Sequence, residues 1–112
     1  MDRINAIALS GMQAAAVRAS VAADNLVKAG AAAFASDAQR ASGEFAPKRV
    51  EQISLANGGV AAKVRPAPKG LAAADMVMEM VNLSIADASY RAAAAVIETE
   101  QAMGKMLVEI LA

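Results

Sequence analysis

The sequence predicts a mainly α-helical chain, with long N- and C-terminal helices pairing as a helical hairpin or coiled coil around a small β-hairpin insertion. Three observations predict this. Alanine supplies 31 of the 112 residues while aromatic residues make up only 3%, a composition suited to helices that pack closely rather than to a broad core of large side chains. Apolar residues recur at intervals of three and four over both terminal thirds, the spacing of one helix face. Between them, two short runs flank Asn57-Gly58-Gly59, a strong local hairpin signal. The parts are residues 1–34 (first helix and following turn), 35–70 (linker with a hairpin at about 48–65) and 71–112 (second helix), together one structural domain.

In the first helix, Ile4, Ala8, Gly11/Met12, Ala15, Ala19, Ala22 and Leu26 form a small-residue seam across residues 2–28. Polar side chains are sparse, so the helix is expected to touch neighbours on more than one side. Gly30 is the expected C′ residue, since it takes positive φ without a Cβ clash. Residues 29–47 read as a loop with a short helical turn or two, punctuated by Gly43 and Pro47. In the next segment Val50, Ile53 and Leu55 are interspersed with Lys48, Glu51, Gln52 and Ser54. Val60 to Arg65 then supply the returning strand, around an Asn-Gly pair whose residues tolerate positive φ. Arg65-Pro66-Ala67-Pro68-Lys69-Gly70 is a stiff, helix-breaking connector.

From a possible N-cap at Asp75 the chain reads as one long helix. Met76, Met80, Leu83, Tyr90, Ala94, Ile97, Val108 and Leu111 fall on one seam; Val77, Val81, Ala88, Ala92, Ala95, Met103, Met106 and Ile110 line a second. Together these stripes exceed what one antiparallel partner helix can cover. At 1.5 Å per residue the two helices would be roughly 40 and 55 Å long. Alanine seams release little apolar area against the entropy of ordering the chain, so self-assembly or a partner is expected.

Charge and chemistry narrow the function. The 11 basic and 11 acidic residues balance, so no overall basic field points to nucleic acid. They divide unevenly, with a basic middle segment and an acidic C-terminal helix. Without Cys or His there is no thiol or imidazole chemistry, no disulfide and none of the commonest zinc sites. Glu98 and Glu100 are too close in sequence to share a helix face as a carboxylate pair. Asn57-Gly58-Gly59 lacks the helix start and Lys-Ser/Thr of a phosphate loop. No catalytic residue, metal site, cofactor or small-molecule substrate is expected. The early charge-free stretch, Ile4 to Val17, is too short to span a bilayer, and its flanks fit a signal peptide poorly. Asn25 either hydrogen-bonds across the helix pair or faces solvent. The methionines either pack in the seams or form an adaptable binding surface.

Ser10-Gly11-Met12-Gln13-Ala14-Ala15, then Arg18 and Asp24-Asn25-Leu26, and at the other end Asp75 to Leu83 with Tyr90, Ala93, Val96-Ile97, Thr99, Met103 and Leu107, resemble the terminal segments of flagellar axial proteins. Such short chains look most like the proximal-rod members. The resemblance covers about residues 4–34 and 71–111 and is denser at the C-terminus. It has departures: Asp24-Asn25-Leu26-Val27-Lys28 stands where the family has Asn-Asn-Leu-Ala-Asn. Ala31 and Ala33 replace its Thr and Gly, leaving Phe34 of that turn, and Ala93 replaces the Asn of its Tyr-x-Ala-Asn element.

The resemblance implies a divergent, non-enzymatic rod subunit. Its terminal helices would pair in the inner tube of the axial structure, and it would leave the cell through the flagellar type III export apparatus without a cleaved signal. The implied partners are copies of itself, other rod subunits and the export apparatus; the implied location is the periplasm-spanning rod of the basal body. The candidate assembly residues are Gly11, Met12, Ala15, Ala22, Asn25, Leu26, Phe34, Met80, Leu83, Tyr90, Ile97, Met103 and Leu107. The alternative is a non-flagellar, Ala-rich helical-hairpin adaptor that self-associates at a membrane or granule surface.

Overall fold

The computed structural model describes residues 2–43, 45–67 and 76–112. Helix α1 spans Asp2–Ala32, a short α2 spans Asp37–Ala41, strands β1 (Lys48–Ser54) and β2 (Val60–Pro66) follow, and α3 spans Met76–Leu111. The molecule measures 70 × 26 × 15 Å, one helix pair wide with a hairpin laid on it. The two long helices pack along one another and run antiparallel: Gly11 lies against Ala93, while Asn25 reaches Glu79 fourteen positions earlier on α3.

The seam follows a heptad spacing. On α1 it runs through Ala8, Gly11, Ala15, Arg18, Ala22 and Asn25; on α3 through Glu79, Leu83, Ala86, Ala93, Ile97 and Glu100, all buried or half-buried. Alternating steps of three and four keep one stripe facing the partner helix, as in coiled coils. Among the described residues every buried apolar side chain is an alanine: Ala8, Ala14, Ala15, Ala22, Ala32 and Ala86. Ala15 is fully inaccessible, so the interior is a close approach of backbones rather than a packed set of large side chains.

Two expectations, the end of α1 and the inner face of α3, need correcting. Helix α1 does not stop before Gly30; it continues to Ala32, and Gly30 is not among the positive-φ glycines, Gly43 and Gly58. The segment after it holds the expected short helical turn, α2, opened by a capping box. The Ser36 backbone N–H donates to Gln39 Oε1 (2.9 Å) and the Gln39 N–H to Ser36 Oγ (3.3 Å), the reciprocal arrangement that holds a helix start. In the hairpin only Gly58 has positive φ; Leu55 and Gly59 still pair, and Gly58 N–H bonds back to the Leu55 carbonyl, which makes a three-residue loop ending in a left-handed glycine. On α3 the seam is rotated from the expected stripe: Met76 and Met80 are exposed, while Glu79, Ala86 and Glu100 take inner positions beside the expected Leu83 and Ile97. Asp75 and the connector beyond Ala67 lie outside the described residues.

By length and composition α1 from Arg3 to Ala32 is apolar enough to cross a membrane. This exceeds the reading from the charge-free stretch alone, because the helix continues past Arg18 with few further charges. Here α1 serves instead as the spine: one flank of it packs on α3, another on the hairpin.

The area left to solvent is large. The chain exposes 7736 Å², where a compact monomer of 11.4 kDa exposes about 5,800 Å². Its radius of gyration of 18.8 Å compares with about 13 Å for a compact domain of this length.

Candidate assembly interface

Two polar side chains on α1 hold the hairpin in place. Asn25 Nδ2 donates to the Lys48 carbonyl at 2.7 Å, and the Lys48 N–H donates to Asn25 Oδ1 at 2.8 Å. The amide thus pairs with the first residue of β1 as a neighbouring strand would. Ser10 Oγ accepts from the Val60 N–H at 3.1 Å while donating to the Ile7 carbonyl at 2.6 Å. Asn25 and Ser10 are about 22 Å apart along a helix, and the matching stretch of hairpin is about 20 Å of strand. The lengths agree, so the hairpin lies lengthwise on α1. At its tip the backbone comes close: a Cβ on Gly59 would sit 2.9 Å from Ser10 Oγ. Asn25 therefore neither faces solvent nor chiefly bridges the helix pair. Its contact with Glu79 Oε1 is long, at 3.4 Å, and its main partner is β1.

Where α1, the hairpin and α3 meet, a polar cleft of about 290 Å³ is lined by residues including Arg18, Asn25, Lys48, Arg49, Glu79 and Asn82. Arg18 Nε is buried there without a hydrogen-bond partner. Further along the seam, Glu100 is 8% exposed and neither carboxylate oxygen meets a donor; Asn5 Oδ1 is also buried and unbonded. Buried polar atoms without partners destabilise a fold, so the seam of the single chain is incompletely satisfied at several points.

The candidate residues divide into two groups. Gly11, Met12, Ala15, Ala22, Asn25, Leu26, Leu83 and Ile97 are buried or half-buried within the chain. Phe34 (94% exposed), Met80, Met103 and Leu107 are turned to solvent, and Tyr90, on the seam spacing between Ala86 and Ala93, is 42% exposed. The register of the pair places the start of α1 near residue 102 of α3, so the last turns of α3 extend past it, with Leu107, Val108, Ile110 and Leu111 all exposed. Sequence reasoning missed Ser10, Arg18, Glu79 and Glu100 as inward residues. Their polarity argues against an inward position, and only their heptad spacing with Gly11, Ala15 and Ala86 could have flagged three of them.

Helix α3 presents three distinct faces. One meets α1. A second carries Asp87, Arg91, Glu98, Lys105 and Glu109 along one edge, with Asp87 and Arg91 paired at 3.2 Å. The third is free of charge and open, running from Val81 and Ile85 through Ala88, Ala92 and Val96 to Met103 and Ile110. Shallow apolar grooves of about 600 and 400 Å³ follow this side, around residues 77–88 and 95–103. Among the described residues no three His, Cys, Asp or Glu side chains converge as a metal site. No protein-family model, no curated protein and no solved structure matches this chain.

Proposed function

We propose that this chain is a structural subunit of the bacterial flagellar basal-body rod, assembling through its terminal helices with copies of itself and with other rod subunits. The observation that carries the reading is the helix pair: two long terminal helices share an alanine-lined seam and leave extended apolar surface open. These are the same two segments in which the sequence resembles axial proteins. A subunit of a continuous tube needs this combination, because most of its apolar surface is covered by neighbours rather than by its own chain. Transit through the flagellar export apparatus fits a chain whose fold is thin enough to unfold readily. Deleting the gene in a flagellated host is expected to abolish or impair swimming and to leave incomplete basal bodies. Normal basal bodies in the deletion strain would reject the proposal.

A second reading, a self-associating adaptor at a membrane or granule surface, draws on the length and apolarity of α1. Co-sedimentation of the chain with liposomes, with none of it in purified basal bodies, would favour that reading.

A further inference from the structure

The open surfaces of the two helices lie on opposite sides of the helix pair and differ in character. On the side that carries the hairpin, α3 shows its charge-free stripe of large side chains: Val81, Ile85, Val96, Met103, Met106 and Ile110, all exposed. Ile85 lines the same cleft as Val21 and Val50, which fixes this stripe beside β1. On the other flank of the seam, α1 shows Leu9, Gln13, Ala16, Ser20, Ala23 and Val27, again all exposed. Steps of four and three place these six on one stripe. It has no charged member, and its middle four positions are small or uncharged polar.

We infer that a second copy of this chain covers the α3 stripe with the α1 stripe of its opposite side, so that copies stack front to back. Three observations point to this occupant. First, shape: large side chains on one stripe face small ones on the other, over lengths of about 44 and 27 Å. Second, charge: the hairpin beside the front stripe bears Lys48, Arg49, Lys63 and Arg65 against Glu51 alone. The α3 edge beside the back stripe bears Asp87, Glu98 and Glu109 against Arg91 and Lys105. Third, area: a standard interface takes about 800 Å² from each partner, and two such faces come close to the surplus of the chain's 7736 Å² over a compact monomer. A front-to-back contact joins two different patches, so it propagates into a ring or filament instead of closing as a two-fold dimer.

This rests on reading the chain as a self-assembling subunit, but not on where it assembles. The test uses two exposed positions, Ile85→Arg to block the front and Ala16→Arg to block the back, with size measured by analytical ultracentrifugation up to several hundred micromolar. The unsubstituted chain forms a concentration-dependent series beyond the dimer. Each variant alone stays monomeric, and an equimolar mixture forms a dimer and nothing larger, since one intact front then meets one intact back. The mixed dimer also shows that both variants fold. Met103→Arg and Ser20→Arg repeat the design if either first variant loses its helicity. Dimers of the Ala16→Arg variant alone would show a front-to-front contact and overturn the inference. So would a chain that remains monomeric throughout, or a mixture that stays monomeric. A polar stack found together with normal basal bodies in the deletion strain would reject the flagellar setting and leave the inference standing.

Discussion

Asn25 carries its amide into the junction of α1 and β1, where it is 2% exposed and both ends are bonded to Lys48. Replacing it with alanine strands one donor and one acceptor of the strand. Asn25→Ala is expected to cost about 2–3 kcal/mol by urea unfolding, since each unsatisfied buried group costs about 1–3 kcal/mol. Amide exchange should accelerate at residues 48–50 while the centre of α3 keeps its protection. Glu100 gives the opposite expectation. Its carboxylate is buried without a donor, so Glu100→Leu should stabilise the isolated chain by about 1–2 kcal/mol, read as a higher urea midpoint. A lowered midpoint would show that the carboxylate is supported after all. Gly59 tests the hairpin tip: Gly59→Ala brings a methyl group to 2.9 Å from Ser10 Oγ and should destabilise. Combined with Ser10→Ala, its effect should be smaller than in the Ser10 background, which a double-mutant cycle measures.

Within elements, the helix pair depends on the small side chains at Ala8, Gly11, Ala15 and Ala22 on the inner face of α1. Ala15, with no accessible surface, has no room for a larger group. Ala15→Leu is expected to separate the helices and cost about 1–3 kcal/mol by overpacking, whereas Ala16→Leu, one residue on and exposed, should leave the monomer's stability nearly unchanged. Equal effects at the two positions would contradict the seam. The hairpin is a dependent element, since two strands alone are marginal in water. Its Arg49 and Arg65 stand directly opposite one another, an unfavourable like-charge pair that the ion pair of Arg65 with Glu51 partly offsets.

For the molecule as a whole, thinness is the governing property. A layer 15 Å through, with alanine as the only buried apolar residue type among the described residues, gains little from burial within one chain. Stability should therefore rise with protein concentration, because association selects the folded form. The melting temperature is expected to climb by several degrees between about 5 and 500 µM, as differential scanning calorimetry would show. A melting temperature independent of concentration would mean that the single chain already holds all its stabilising contacts.

The positions of the helices and of the hairpin were legible from residue order alone because their signals are local: alanine propensity, steps of three and four, Asn-Gly between β-branched runs. The capping box at Ser36 and Gln39 was equally local and was overlooked behind Gly43 and Pro47. The choice of inner face was of another kind. On α3 several stripes are apolar, and the stripe that meets α1 contains Glu79 and Glu100, so hydrophobicity pointed to Met76 and Met80 instead. What selects the inner face is how closely two backbones can approach, with Ala86 and Ala93 facing the small residues of α1. That is a property of both helices in register, which neither segment encodes separately. The anchoring of β1 by Asn25 is likewise a contact across 23 residues of chain, decided only once α1 and the hairpin lie side by side.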